Sequence, residues 1–319
     1  MGEIVDLRTS SKNSFGNIYG INQSEKSPFY LPNGNLEYLK RKLDTELKVG
    51  ANPYKINLAL IQLQLDEKIK SATLANGTFK FEGAFFTMDG FDSTVIFPFK
   101  YNVAYTRKLD DQMPLYALLD SKLKDLQQRL EVYFFKNYGK NYKLARHVVV
   151  KTRDFRPADF DNDTLYFFQR KINFSDFTLK QNSNSRFAAA IFTSMGYIAT
   201  PKMIEDTVFI DFTTKVYQIK GMSWAIPQAD NTNSLNHEQT HFNITQLIAE
   251  KFKERLRDEA LPPTNYDSRI QYLYLEYFRK INKLQNQYDI ETQHGINREK
   301  QLFWENFIKE ELVKFGVNV

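Results

Sequence analysis

Cysteine is absent from the 319 residues, which removes disulfides, zinc ribbons, iron–sulfur clusters and thiol nucleophiles from consideration. Glycine (13) and proline (10) are scarce, so neither a collagen-like repeat nor a low-complexity tract fits. No apolar run approaches the roughly 18–20 residues of a membrane helix, and no transmembrane segment is expected. The opening residues, Met1 to Asp6, have neither the basic nor the apolar stretch of an export signal. Charge of one sign is also in short supply. Lys and Arg total 43 against 38 Asp and Glu, and a net +5 spread over this length announces neither a nucleic acid nor a membrane surface as partner. No phosphate-cradling glycine loop, G-x-S-x-G elbow or dinucleotide fingerprint occurs.

What is present is a globular composition, 42% hydrophobic and 25% charged, with a core rich in rings because 15% of the residues are Phe, Tyr or Trp. Residues 1–35, rich in Ser, Asn, Gly and Lys, read as a flexible arm. The spacing Leu36, Leu39, Leu43, Leu47 predicts a short helix. Residues 56–70 fit two templates. Ile56, Leu58 and Leu60 alternate like a strand, whereas Leu58, Ile61, Leu65 and Ile69 follow a helix. Strands are expected over 78–105, with Pro98 marking an edge strand or a bulge. Leu115, Leu119, Leu123, Leu126, Leu130 and Phe134 predict an amphipathic helix over 115–135.

Further strands are expected at 148–150, 165–168, 172–179, 188–197, 208–219 and 223–226, followed by a polar loop over 228–234. Three long helices then close the chain, at 234–258, 266–287 and 298–313, with Pro262-Pro263 breaking the first from the second. The expectation is an α+β protein with an N-terminal α+β domain at 36–157 and a second domain at 158–319.

The four histidines carry the chemistry. His237-Glu238-Gln239-Thr240-His241 is an H-E-x-x-H sequence, and its logic requires a helix. Residues i and i+4 share one face about 5–6 Å apart, so two imidazoles can converge on one ion. Glu238 stands next in line, where it reaches a water on the metal rather than the metal itself. His237, His241, Ile244, Ile248 and Phe252 form one stripe that begins polar and continues apolar, which is the zincin arrangement. Chance predicts roughly 0.003 such motifs in a chain of this composition.

A catalytic zinc usually takes three protein ligands and keeps a fourth position open. His294, beside Gly295 at the junction of the second and third long helices, is the leading third candidate, with Glu276, Asp289 and Glu291 as rivals. Tyr288 is a candidate oxyanion donor or support for a ligand. His147 lies in a basic, aromatic-interleaved run over 136–156, which reads as a helix end followed by a strand rather than as a nucleic-acid site.

At these residues the chain resembles a bacterial family catalogued as domain of unknown function 922 and regarded as secreted zincin-like metallopeptidases. The matching pieces are Leu235 to Ile244, then Tyr288-Asp289, Glu291-Thr292 and His294-Gly295, with Gln301 and Trp304 following. Upstream, Phe174 to Phe177, Ala188 to Ala190 and Ser223-Trp224 also look like the family pattern, so that the resemblance spans about 171–312. The chain departs from it at Asn243, where Asp is frequent, and near Phe174, where Trp is. The resemblance implies a zincin-like C-terminal domain, His294 within the Zn²⁺ site, and a secreted, periplasmic or cell-surface location. The expected function is peptide-bond hydrolysis by zinc-activated water with Glu238 as general base, acting on a protein or peptide substrate. The alternative is a non-catalytic cell-envelope or binding protein stabilised by zinc.

Overall fold

The computed structural model describes residues 2–9, 14–21, 25–44, 55–89, 92–159, 161–180, 187–226 and 232–319. Most of the polar loop expected at 228–234 lies outside them. The chain is α+β and divides into two compact units, Met1–Leu144 and Ala145–Val319.

In the first unit, three short strands, β1 (Ile4–Asp6), β2 (Gly16–Tyr19) and β3 (Lys26–Pro28), precede helix α1 (Asn35–Asp44). Three long strands follow, β4 (Asn57–Ile69), β5 (Leu74–Asp89) and β6 (Asp92–Lys108), and then helix α2 (Met113–Asn137). The sheet order is β3-β2-β4-β5-β6, with β1 also pairing β4. The segment expected as a flexible arm is therefore part of the sheet. Its few apolar residues explain why: Phe15, Ile18, Phe29 and Leu31 are all buried.

The ambiguity at 56–70 resolves as strand, and a bulge is its cause. Pairing with β5 slips between Leu60 and Gln62, so the buried side switches from Leu58 and Leu60 to Leu63 and Leu65. One inserted residue turns a period of two into spacings that mimic a helix. Pro98 sits on β6, the edge strand, close to a second irregularity between Phe85 and Phe86. All six apolar residues that predicted α2 are buried.

The second unit begins earlier than expected. Strand β7 (His147–Asp154) runs parallel to β11 (Thr207–Ile219) along its first eight residues, from Thr207↔His147 to Thr214↔Asp154. It therefore belongs with the second unit, and the boundary falls at 144/145 rather than at 157/158. Strand β10 (Thr193–Ile204) covers the other side of β11, and β8 (Thr164–Tyr166) pairs with the end of β11. Two short strands, β9 (Ala189–Ala190) and β12 (Trp224–Ala225), form a separate ribbon.

The strand expected at 172–179 is instead a tight 3-10 turn over Phe174–Asp176. Asn173 caps it, and buried Asp176 accepts two 2.7 Å hydrogen bonds from the Arg170 guanidinium. Side-chain bonds to the local backbone draw such a segment out of a ladder.

Helices α3 (Thr232–Asp258), α4 (Tyr266–Thr292) and α5 (Arg298–Lys314) complete the unit. On α3, Phe242, Ile248, Phe252 and Leu256 pack with Val208, Ile210 and Phe212 of the sheet. Its other side, with Ile244 and Leu247, meets Tyr288 of α4 and Trp304, Ile308 and Leu312 of α5. A helix enclosed on both sides holds its side chains in fixed rotamers, which is what a site built on it requires. Among the described residues, no helix is long and apolar enough to cross a membrane.

Candidate metal centre

His237 and His241 stand one turn apart near the start of α3, their ring centroids 5.0 Å apart and their planes nearly perpendicular. Both are buried. The two Nε2 atoms face one carboxylate oxygen: Asp289 Oδ1 lies 3.1 Å from His237 and 2.9 Å from His241. Asp289 is in the last turn of α4, which the Pro262-Pro263 break turns back along α3.

The helix predicted to end at 287 continues to Thr292, and these extra residues carry the carboxylate. Its buried positions, Ile281, Tyr288 and Thr292, keep the helical spacing past 287, so the signal for a longer helix was present in the sequence. Burial alone would raise the Asp289 carboxyl. The hydrogen bonds and charge of the two histidines outweigh it and hold the group well below the usual carboxylate range.

Two imidazole nitrogens and a carboxylate oxygen, all within 4.8 Å of one another, form a donor set of the kind that binds metal ions. Ligands on adjacent corners of a tetrahedral ion, with bonds of about 2.0–2.1 Å, lie about 3.3 Å apart. The separations of 3.1 and 2.9 Å are close to that edge length. The group can hold a metal ion.

His294 stands outside this three-atom group but beside it. Its Nδ1 is 3.6 Å from Asp289 Oδ1, its side chain is about half exposed, and its ring packs on Phe187 with centroids 4.3 Å apart. Gln293, His294 and Gly295 all have positive φ, at 49°, 55° and 83°, as the chain leaves α4. Gly295 also packs closely on the site, since a Cβ there would lie 3.3 Å from His237 Cγ and Nδ1.

Glu276 and Glu291 do not join the group. Glu276 is ion-paired to Lys280 on the exposed face of α4. Glu291 accepts 2.8 Å bonds from Trp304 Nε1 and Gln287 Nε2. Asn243 accepts a bond from Gln239, and exposed His147 opens β7. The basic run at 136–156 is divided among the end of α2, a 3-10 turn and β7.

Tyr288 lies beneath the histidines. Its ring stacks on His237 at 4.7 Å and 20°, meets His241 edge-on and rests against Trp304. It is wholly buried, and its hydroxyl lies 3.5 Å from the His237 carbonyl oxygen. That position supports the rings rather than facing a reacting group.

Glu238 is the remaining member. Its Oε2 accepts a 2.9 Å hydrogen bond from the Ile191 N–H, just past β9. Burial pushes its carboxyl up to about 7, against the opposing influences of His237 and the Ile191 bond. A cavity of about 610 Å³ opens over these residues, lined also by 187–191, Asp289 and His294. The strand at its wall is β9; β12, within the expected edge at 223–226, pairs with β9 and does not line it. Gln285, which the sequence did not single out, also lines the cavity, and its Nε2 donates to Thr193, Thr245 and the His241 carbonyl. No protein-family model and no curated protein matches the chain.

Proposed function

We propose that this chain is a zinc-dependent metallopeptidase with a zincin-like C-terminal domain, related to the family it resembles and acting outside the cytoplasm. The observation that carries the proposal is the convergence of His237, His241 and Asp289 on a cavity wall shared with Glu238. His237, His241 and Asp289 would hold the ion, and His294 would face it from the cavity side. Zinc, when bound, supplies the Lewis acidity that makes water nucleophilic near neutral pH and polarises a carbonyl.

The chain's own residues do the rest. Glu238, with one oxygen fixed by Ile191, takes a proton from the attacking water and returns it to the leaving amine. Tyr288 and Gln285 hold the helix turn that presents the imidazoles. An extended peptide would lie along β9, whose backbone borders the site.

The second reading, a zinc that only clamps helices, calls for four protein ligands and no opening. The cavity and a buried Glu238 that is not needed as a ligand favour the enzyme. The test is cleavage of a peptide library by zinc-loaded protein, read by mass spectrometry, with Glu238→Gln alongside. Cleavage by the wild type, reduced about 10²–10⁴-fold in the variant, is expected. Equal cleavage by both would overturn the role of Glu238.

A further inference from the structure

Two buried polar atoms near the site have no hydrogen-bond partner among the described residues, and both lie against Gly295. One is His237 Nδ1, the ring nitrogen opposite the one aimed at Asp289; the other is Gln301 Oε1 on α5. A Cβ on Gly295 would lie 3.3 Å from the first and 3.1 Å from the second. Both atoms therefore pack against the same side of Gly295, close to one another.

The orientation of the Gln301 amide is fixed by its other end. Nε2 donates to the Asn233 carbonyl at 3.1 Å, to Asn233 Oδ1 at 3.3 Å and to Glu305 Oε1 at 2.9 Å. All three partners are acceptors, so the nitrogen must be on that side and the oxygen must face Gly295 and His237. Asn233 is itself tied to this glycine, since its Nδ2 donates to the Gly295 carbonyl at 3.0 Å.

A neutral imidazole that gives its Nε2 lone pair to a metal carries its proton on Nδ1. Nδ1 then becomes a buried donor that needs an acceptor. Metal-binding histidines nearly always have one, and it sets both ring orientation and ligand basicity. Gln301 Oε1 is the buried, unpartnered acceptor beside it, on the same side of Gly295.

Resting on the metal-site proposal above, we propose that Gln301 is the positioning residue for His237. Its Oε1 accepts the Nδ1 proton through one bridging water, and so fixes the tautomer that presents Nε2 to the ion. The residue touches neither metal nor substrate, and it acts only through the ring.

The test is zinc affinity, measured by competition with a chromophoric chelator, for the wild type, Gln301→Leu and Gln301→Glu. Leucine removes the acceptor, and zinc binding should weaken about 10–100-fold. Glutamate keeps an oxygen facing the ring while losing the amide donor and placing a second carboxylate near Glu305. It should bind zinc within about threefold of the wild type or more tightly. A purely structural Gln301 predicts the reverse, with glutamate at least as damaging as leucine, and that result overturns the proposal. Zinc affinity unchanged in Gln301→Leu overturns it as well. If the leucine variant does not fold, imidazole ¹⁵N spectra of the zinc-loaded wild type decide. A slowly exchanging Nδ1–H on His237 is expected, and free exchange with water contradicts the link. A wild type that binds no zinc would instead refute the metal site itself, and this inference with it.

Discussion

Glu238 and Asp289 are carboxylates in one cavity whose surroundings drive them in opposite directions. Burial pushes Glu238 up to about 7, whereas the two imidazoles hold Asp289 low despite burial. The raised group has a direct consequence for the metal-free protein. Between the ordinary value of 4.5 and about 7, the folded state keeps a proton that the unfolded chain has lost. Stability due to this group is therefore present below about 4.5 and lost as pH rises through about 7. Glu238→Gln keeps an acceptor for the Ile191 N–H and removes the charge. In chelator-treated protein at pH 8 the variant should be more stable than the wild type by roughly 2–3 kcal/mol, and near pH 4 the two should coincide. Denaturant unfolding at the two pH values measures this, and an equal difference at both would contradict it. At this scale the closeness of His237 and His241 is legible in the sequence, because i and i+4 on a helix are neighbours by local geometry alone. Asp289 was only one rival to His294. Its role depends on where α4 ends and how it returns past α3, and no local spacing encodes that return.

Elements were legible where one periodicity ran unbroken. The leucines of α2 and the stripe on α3 kept their spacing and were buried as expected. Strand β4 was ambiguous because the bulge near Ile61 shifts its buried side by one residue. The first 35 residues read as an arm because strands of three or four residues, whose buried apolar residues fall mostly beside rather than within them, leave little pattern in a sequence. Strand β7 was found but placed in the wrong unit, since a parallel partner lies 60 residues further along the chain. That correction is testable. The fragment 145–319 contains the whole sheet that supports α3, whereas 158–319 lacks β7 and uncovers Val208, Ile210 and Phe212 of β11 along one edge. The longer fragment should fold and show a cooperative melt by circular dichroism. The shorter one should aggregate or melt without cooperativity, and equal stability of the two would refute the assignment.

For the whole molecule, the candidate metal ligands, their supports and their two cores all lie in the second unit. The central claim is that His237, His241 and Asp289 hold a zinc ion beside Glu238, with His294 on the cavity side. Zinc per chain, measured by elemental analysis after identical dialysis, tests it most directly. The predicted result is about one zinc in the wild type, Glu238→Gln and His294→Ala, and loss in His237→Ala and Asp289→Ala. No zinc in the wild type even when it is offered, or zinc that survives Asp289→Ala and is lost in His294→Ala, would contradict the account.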